Sequence, residues 1–183
     1  MDVLVVSDAG VERHQVDELP QLLKQEGAVV WVDIPVCDAT AAEVLTDVFG
    51  FHRIAIRDCV ERNHVSKVFV YSDHVFTVLH APQVGRRGHV HYVELDQFIG
   101  PNYLVTVHGP LNPAVDQAVA YLDTGSVLRR IEEKHLHVES PFELSRWIVS
   151  AMIRRESDLV ANLAKESGRL EQRVMLEEEL QDP

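Results

Sequence analysis

The chain has 183 residues, 46% hydrophobic and 25% charged, which fits one domain with a buried core and excludes disorder, a collagen-like repeat and a disulfide scaffold. With 29 acidic residues against 17 basic ones the formal net charge is −12. A field of that sign attracts divalent cations and repels phosphate backbones, so nucleic acid is not an expected partner unless the few cations cluster. Cys37 and Cys59 stand far apart with no CxxC or Cys/His zinc pattern around either, which reads as reduced core thiols of a cytosolic protein. No N-terminal stretch has the make-up of a signal peptide, and no apolar run approaches the roughly 20 residues that span a bilayer. The polypeptide therefore reads as soluble and intracellular.

In chain order, Met1 to Ser7 (MDVLVVS) reads as a buried strand, followed by a short helix with Val16, Leu19, Leu22 and Leu23 on one stripe. Val29 to Ile34 (VVWVDI) is a second strand, ended by Pro35. Asp38 and Thr40 are N-cap candidates for a helix running to Phe49, with Glu43 spaced to form a capping box with Thr40. Gly50 breaks that helix, and His52 to Asn63 reads as another. Three strands follow at Lys67–Tyr71, His74–His80 and His89–Asp96, with Ser72-Asp73 as a hairpin turn and Pro82–Gly88 as a polar loop. Gly100-Pro101-Asn102 is a turn before the last strand, Tyr103 to His108. A βα start followed by antiparallel hairpins predicts a mixed sheet, not a doubly wound parallel one.

After Pro110 the pattern turns helical, at Pro113–Leu122 and Ser126–Lys134. From Pro141 it continues for about 40 residues, or about 60 Å of helix. Leu144, Ile148, Met152, Leu159, Leu163, Leu170 and Val174 mark its apolar stripe. The beginning of this helix is apolar enough to lie on the sheet, and its acidic end, Glu177-Glu178-Glu179, reads as a projecting arm that needs a partner helix.

Motifs for catalysis are missing from the sequence: no GxGxxG, GxxxxGK[ST], GxSxG or HExxH occurs, and no enzyme activity is expected. Among the ten histidines, His89-x-His91 would place two imidazoles on one strand face, a spacing that can bind zinc, nickel or cobalt given a third ligand. His135-x-His137 repeats it. The alternative is that these rings line half-exposed strand faces. Asp58, in Ile54-Ala55-Ile56-Arg57-Asp58-Cys59-Val60, is a lone carboxylate that could contribute to a Mg2+ site, or simply a surface aspartate paired with Arg53 or Arg62.

A set of separated blocks carries more. Trp31-Val32-Asp33-Ile34 is followed by Phe49-Gly50-Phe51-His52-Arg53-Ile54-Ala55-Ile56-Arg57-Asp58-Cys59, then Ser66-Lys67-Val68, Asp73-His74-Val75-Phe76-Thr77-Val78-Leu79-His80-Ala81 and Phe98-Ile99-Gly100-Pro101-Asn102-Tyr103-Leu104-Val105-Thr106-Val107-His108. In order and spacing these blocks resemble the N-terminal cytoplasmic domain of the CorA magnesium and cobalt transporters, from about Trp31 to the end.

The resemblance implies an α/β/α sandwich around a mixed sheet, followed by a long projecting C-terminal helix. It divides the chain into an α/β/α domain over 1–140 and, over 141–183, the start of a helical arm leading toward a stalk and membrane region. It implies a regulatory, cation-sensing domain on the cytoplasmic face of a Mg2+ or Co2+ transporter that is a homopentamer when intact. Neither the membrane helix nor its Gly-Met-Asn signature is in this sequence, so the chain reads as an excised or truncated piece, a monomer or dimer that would meet the membrane only through the missing region. Asp58 matches a family ligand for regulatory Mg2+. Arg57 replaces the Glu that precedes it in the family, Arg53 stands where Pro is usual, and Arg154 and Arg155 align with an acidic pair. Two other readings stay open: a Zn2+-transporting relative, and a stand-alone protein that assembles through the long helix.

Overall fold

Strand alternation decides the layering. The computed structural model describes residues 1–85 and 88–179. Arg86 and Arg87 of the expected Pro82–Gly88 loop, and residues 180–183 of the expected arm, lie outside the described residues. The strands are β1 (Asp2–Ser7), β2 (Gly10–His14), β3 (Val29–Ile34), β4 (Lys67–Val70), β5 (Val75–Val84), β6 (Val90–Ile99) and β7 (Tyr103–His108). They form one sheet in the order β2-β1-β3-β7-β6-β5-β4, in which only the β3–β7 pair is parallel. This is the mixed sheet expected from the sequence.

Because successive side chains point to opposite faces, the sheet feeds two cores. Val3, Val5, Val30, Val32, Ile34, Phe76, Val78, Phe98, Val105 and Val107 face one side, where helices α1 (Leu19–Leu22), α2 (Ala39–Asp47) and α3 (Arg53–Val60) cover them. Leu4, Val6, Trp31, Leu95, Ile99 and Leu104 face the other, under α4 (Leu122–Glu132) and α5 (Pro141–Glu179). The result is the expected α/β/α sandwich with a long C-terminal helix.

Helix α5 begins inside the second core and leaves it. Leu144, Ile148 and Met152 are buried, while Val160, Leu163, Leu170 and Val174 on the same helix are exposed. Where α5 crosses the sheet, Ser145 donates a 2.6 Å hydrogen bond to Gln97, a buried polar residue on β6. From Val160 onward the stripe is exposed among the described residues.

Local differences from the expected elements have physical causes. Strand β2 was not expected: Asp8-Ala9 close a tight hairpin at which Ser7 pairs Gly10, and Gly10 takes φ +130, open to glycine alone at low cost. Asp38, not Thr40, caps α2, accepting a 2.8 Å hydrogen bond from the Ala41 amide, so the Thr40–Glu43 capping box does not form. Helix α3 is shorter than the His52–Asn63 reading, capped by His52 and ended at Val60. Pro82 sits within β5 and not in a loop. This is tolerated because β4 pairs only with Val75–Val78, leaving that edge of β5 without a partner strand at Pro82. The expected Pro113–Leu122 helix is a 3-10 turn over Gln117–Tyr121 that runs straight into α4.

Gly50 ends α2 as expected. Its φ of +68 lets the Gly50 amide reach Thr46 and the Phe51 amide reach Leu45, a helix stop that swings Phe51 into the core. A Cβ there would meet no atom within 4 Å, so Gly50→Ala should cost only the backbone strain of a left-handed alanine, about 1 kcal/mol. Urea denaturation should show that loss; a stability equal to that of the unmodified chain would mean the turn is not held at positive φ.

Candidate functional site

On β6 the period of two puts Glu94, Asp96 and Phe98 on the face covered by α3. Two carboxylates therefore enter a layer that is otherwise apolar, and each must be hydrogen-bonded, paired or neutral. Glu94 is satisfied. Its two oxygens accept hydrogen bonds from the Asn63 amide (2.9 Å) and the Asn63 side chain (2.8 Å), and His80 on the neighbouring strand lies 3.3 Å away.

Asn63 is the hub of the site. Its side chain also donates to the Asp58 backbone carbonyl at 2.7 Å, closing the turn after α3, and its side-chain Oδ1, distinct from the backbone carbonyl, accepts from Lys67 at 2.6 Å. Tyr92 donates a 2.6 Å hydrogen bond to the Asn63 backbone carbonyl, and Arg62 stacks on the Tyr92 ring at 4.6 Å. Lys67, at the start of β4, reaches back to Asp58 with Nζ 3.1 Å from Oδ2. Asp58 is thus a buried member of a polar network. The alternative reading of a surface aspartate paired with Arg53 or Arg62 is corrected: Asp58 is 8% exposed and its partner is Lys67, while Arg57 turns outward to Glu61.

Asp96 differs from its neighbours. It is fully buried, pairs across the sheet with Val78 and Val107, and neither carboxylate oxygen has a hydrogen-bond partner among the described residues. Burial raises its pKa to about 8, with the Glu94 charge adding to the rise. Asp96 is therefore largely protonated at neutral pH. The same burial and the Asp96 charge push Cys59 well above the ordinary thiol range, and Cys37 up to about 11. Both are free thiols held in their protonated form.

The histidine pairs are placed differently. His89 is exposed and precedes β6; His91 is half-buried, opposite Gln83, with its ring 2.4 Å from where a Cβ on Gly85 would stand. His135 and His137 flank buried Leu136 on an extended segment and turn outward to acidic neighbours, His135 to Glu133 and His137 to Asp8 and Glu139. Neither pair is joined to Asp58, and among the described residues no group of three or more His, Cys, Asp or Glu is placed to hold a metal ion. Mg2+ prefers about six oxygen ligands, and Asp58 offers one carboxylate already paired with an ammonium group. Among the described residues no further oxygen ligands join Asp58 to complete such a site.

The sequence singled out Asp58 but missed Asn63, Lys67, Glu94 and Asp96. The last two were visible as charges at alternate positions of a strand, on the face that Phe98 requires to be apolar.

Seven mixed strands, two unequal helical layers and one overlong C-terminal helix define the soluble-domain architecture of CorA-type transporters. The solved structure of full-length CmaX superposes with a TM-score of 0.75 at 14% identity, covering 96% of this chain and 52% of that one. The complete CorA magnesium transporter of Methanocaldococcus jannaschii gives 0.67 at 15% identity, with 96% and 52% covered, and its soluble domain gives 0.63 at 15% identity, with 95% and 64% covered. The Bacillus subtilis protein YfjQ, whose name assigns it provisionally to metal ion transport, is 32% identical over 85 residues. Those residues make up 46% of this chain and 26% of YfjQ, so the chain spans about half of the solved full-length relatives and a smaller part of the curated one.

The chain belongs to the family of CorA-like Mg2+ transporter proteins, whose pattern matches residues 26–183. That is a family of transporters. No helix among the described residues is long and apolar enough to cross a membrane.

Proposed function

We propose that this chain is the cytoplasmic cation-sensing domain of a CorA-type divalent metal transporter carrying Mg2+ or Co2+, that it gates ion uptake, and that it has no catalytic activity. Family membership over residues 26–183 carries this reading. Residues 1–140 form its α/β/α body and 141–183 the arm toward stalk and membrane. The exposed stripe of Val160, Leu163, Leu170 and Val174 on α5 supports a role in self-association, a homopentamer in the intact transporter and a monomer or dimer for the chain by itself.

Within this reading Asp58 is the position assigned to a regulatory divalent cation, the other oxygens coming from outside the chain. Lys67 then acts as an internal competitor, since its ammonium already neutralises the carboxylate. The test is Mg2+ inhibition of uptake in the intact transporter bearing Asp58→Asn, which keeps the shape of the side chain. Inhibition should need several-fold more Mg2+ in the variant; an unchanged inhibition curve removes Asp58 from sensing. The zinc reading rests on His89 and His91, and a zinc titration of the chain that gives no binding with both histidines intact rejects it.

A further inference from the structure

A groove of about 550 Å3 runs between α4 and α5, lined by Tyr121, Leu122 and Ala151 and by four guanidinium groups, from Arg129, Arg130, Arg154 and Arg155. Spacing explains the convergence. Leu122, Ser126, Arg129 and Arg130 repeat at helical intervals on α4, and Ala151, Arg154 and Arg155 do so on α5, so both helices turn a basic face to the same space. Four of the 17 basic residues of a chain with net charge −12 are gathered there.

Two of the four are fixed. Arg155 donates Nε and Nη2 to the buried Asp123 carboxylate at 3.2 and 2.6 Å and Nη1 to Gln83 at 3.1 Å. Arg130 stacks on Trp147 with its guanidinium carbon 5.1 Å from the ring centroid. The other two are exposed. Asp123 compensates Arg155 alone, and among the described residues Arg129, Arg130 and Arg154 make no ion pair. The C-terminal dipole of α4 accounts for basic residues in its last turn, but not for Arg154 and Arg155 facing them from another helix. Cations drawn together without counter-charges repel one another, and an anion in the groove relieves that repulsion.

We infer that this groove is a binding site for a small polyphosphate-bearing molecule. Guanidinium groups suit phosphate because their planar donor pairs match two oxygens at once. Three uncompensated cations fit a ligand with several negative charges better than a monoanion. The volume lies within the range of small-molecule sites, and Leu122, Ala151 and the Tyr121 ring offer apolar surface beside the charges. Gly125 on α4 has no atom within 4 Å of where its Cβ would stand, so the backbone there is open to the ligand.

Calorimetric titration of the chain with ATP, with inorganic triphosphate and with phosphatidylglycerol vesicles tests this. Either soluble probe should bind, more weakly as salt is raised. Arg129→Gln with Arg154→Gln should weaken binding about tenfold or more, the loss expected from two charge-assisted contacts. Both residues are exposed and their removal relieves like-charge repulsion, so the variant should melt no lower than the parent. Arg169→Gln, farther along α5 where the arginine pairs with Glu166, should bind as the parent does. Binding of neither soluble probe at millimolar concentration, binding indifferent to the double substitution, or binding to the vesicles alone each overturns the proposal.

Discussion

Phe98→Ala should remove about 4 kcal/mol of stability, a large share of what a domain of this size has to lose. The Phe98 ring is fully buried on β6, stacked on Phe51 at 4.0 Å between centroids and tilted against Phe76 at 4.6 Å. Phe51 in turn stacks on Phe49 and lies 4.7 Å from the His74 ring. One truncation therefore opens a cavity among rings that come from the α2–α3 turn and from two strands, and such rings cannot collapse into it together. Phe69→Ala is the comparison. Phe69 stacks on Phe76 from the outside at 6.4 Å and is 44% exposed on the edge strand β4, so its loss should cost less than about 1 kcal/mol. Urea midpoints at unchanged slope measure both. Equal losses in the two variants would show that the aromatic stack does not hold the helical layer to the sheet.

The sequence made that layer legible because the residues that build it obey simple periods. VVWVDI and YLVTVH send mostly apolar side chains into both cores, as strands in the middle of a sheet do, and their polar members Asp33, Thr106 and His108 hydrogen-bond to one another across the β3–β7 pair. The four-residue steps from Leu144 to Met152 announced the part of α5 that is buried. Strand β2 was not legible because Gly-Val-Glu-Arg-His lies at a sheet edge and carries little apolar pattern; tertiary pairing with β1 alone makes it a strand. The site was less legible than the fold for the same kind of reason. Asp58 and Lys67 meet through a turn built by Asn63, and nothing in their spacing of nine residues announces an ion pair. Glu94 and Asp96 look alike in the sequence. They differ because Asn63 reaches one and an aliphatic pair, Val78 and Val107, flanks the other.

That difference makes the stability of the chain fall as pH rises, and Asp96→Asn should abolish most of the fall. In the folded chain burial holds the Asp96 carboxyl protonated up to about pH 8, against a value near 3.8 when exposed. Below about pH 4 both states keep the proton and the stabilising effect of the neutral form is complete. Between about pH 4 and pH 8 the folded state binds more protons than the unfolded state, so stability drops, by at most about 1.4 kcal/mol per pH unit for one group. Above the folded value both states are ionised and the drop ends. The thiols beside the carboxylate stay protonated through this window, Cys37 with a pKa of about 11 and Cys59 higher than the ordinary range. An asparagine amide is neutral at every pH and nearly the same shape, so the variant should match the parent near pH 4 and exceed it by several kcal/mol at pH 8. Titrating groups that do not interact with Asp96 are common to both proteins and cancel in the comparison. Urea denaturation at intervals from pH 4 to pH 8 gives the two profiles. Parallel profiles would mean that Asp96 is ionised in the folded chain, and that water or a cation reaches the carboxylate between Val78 and Val107.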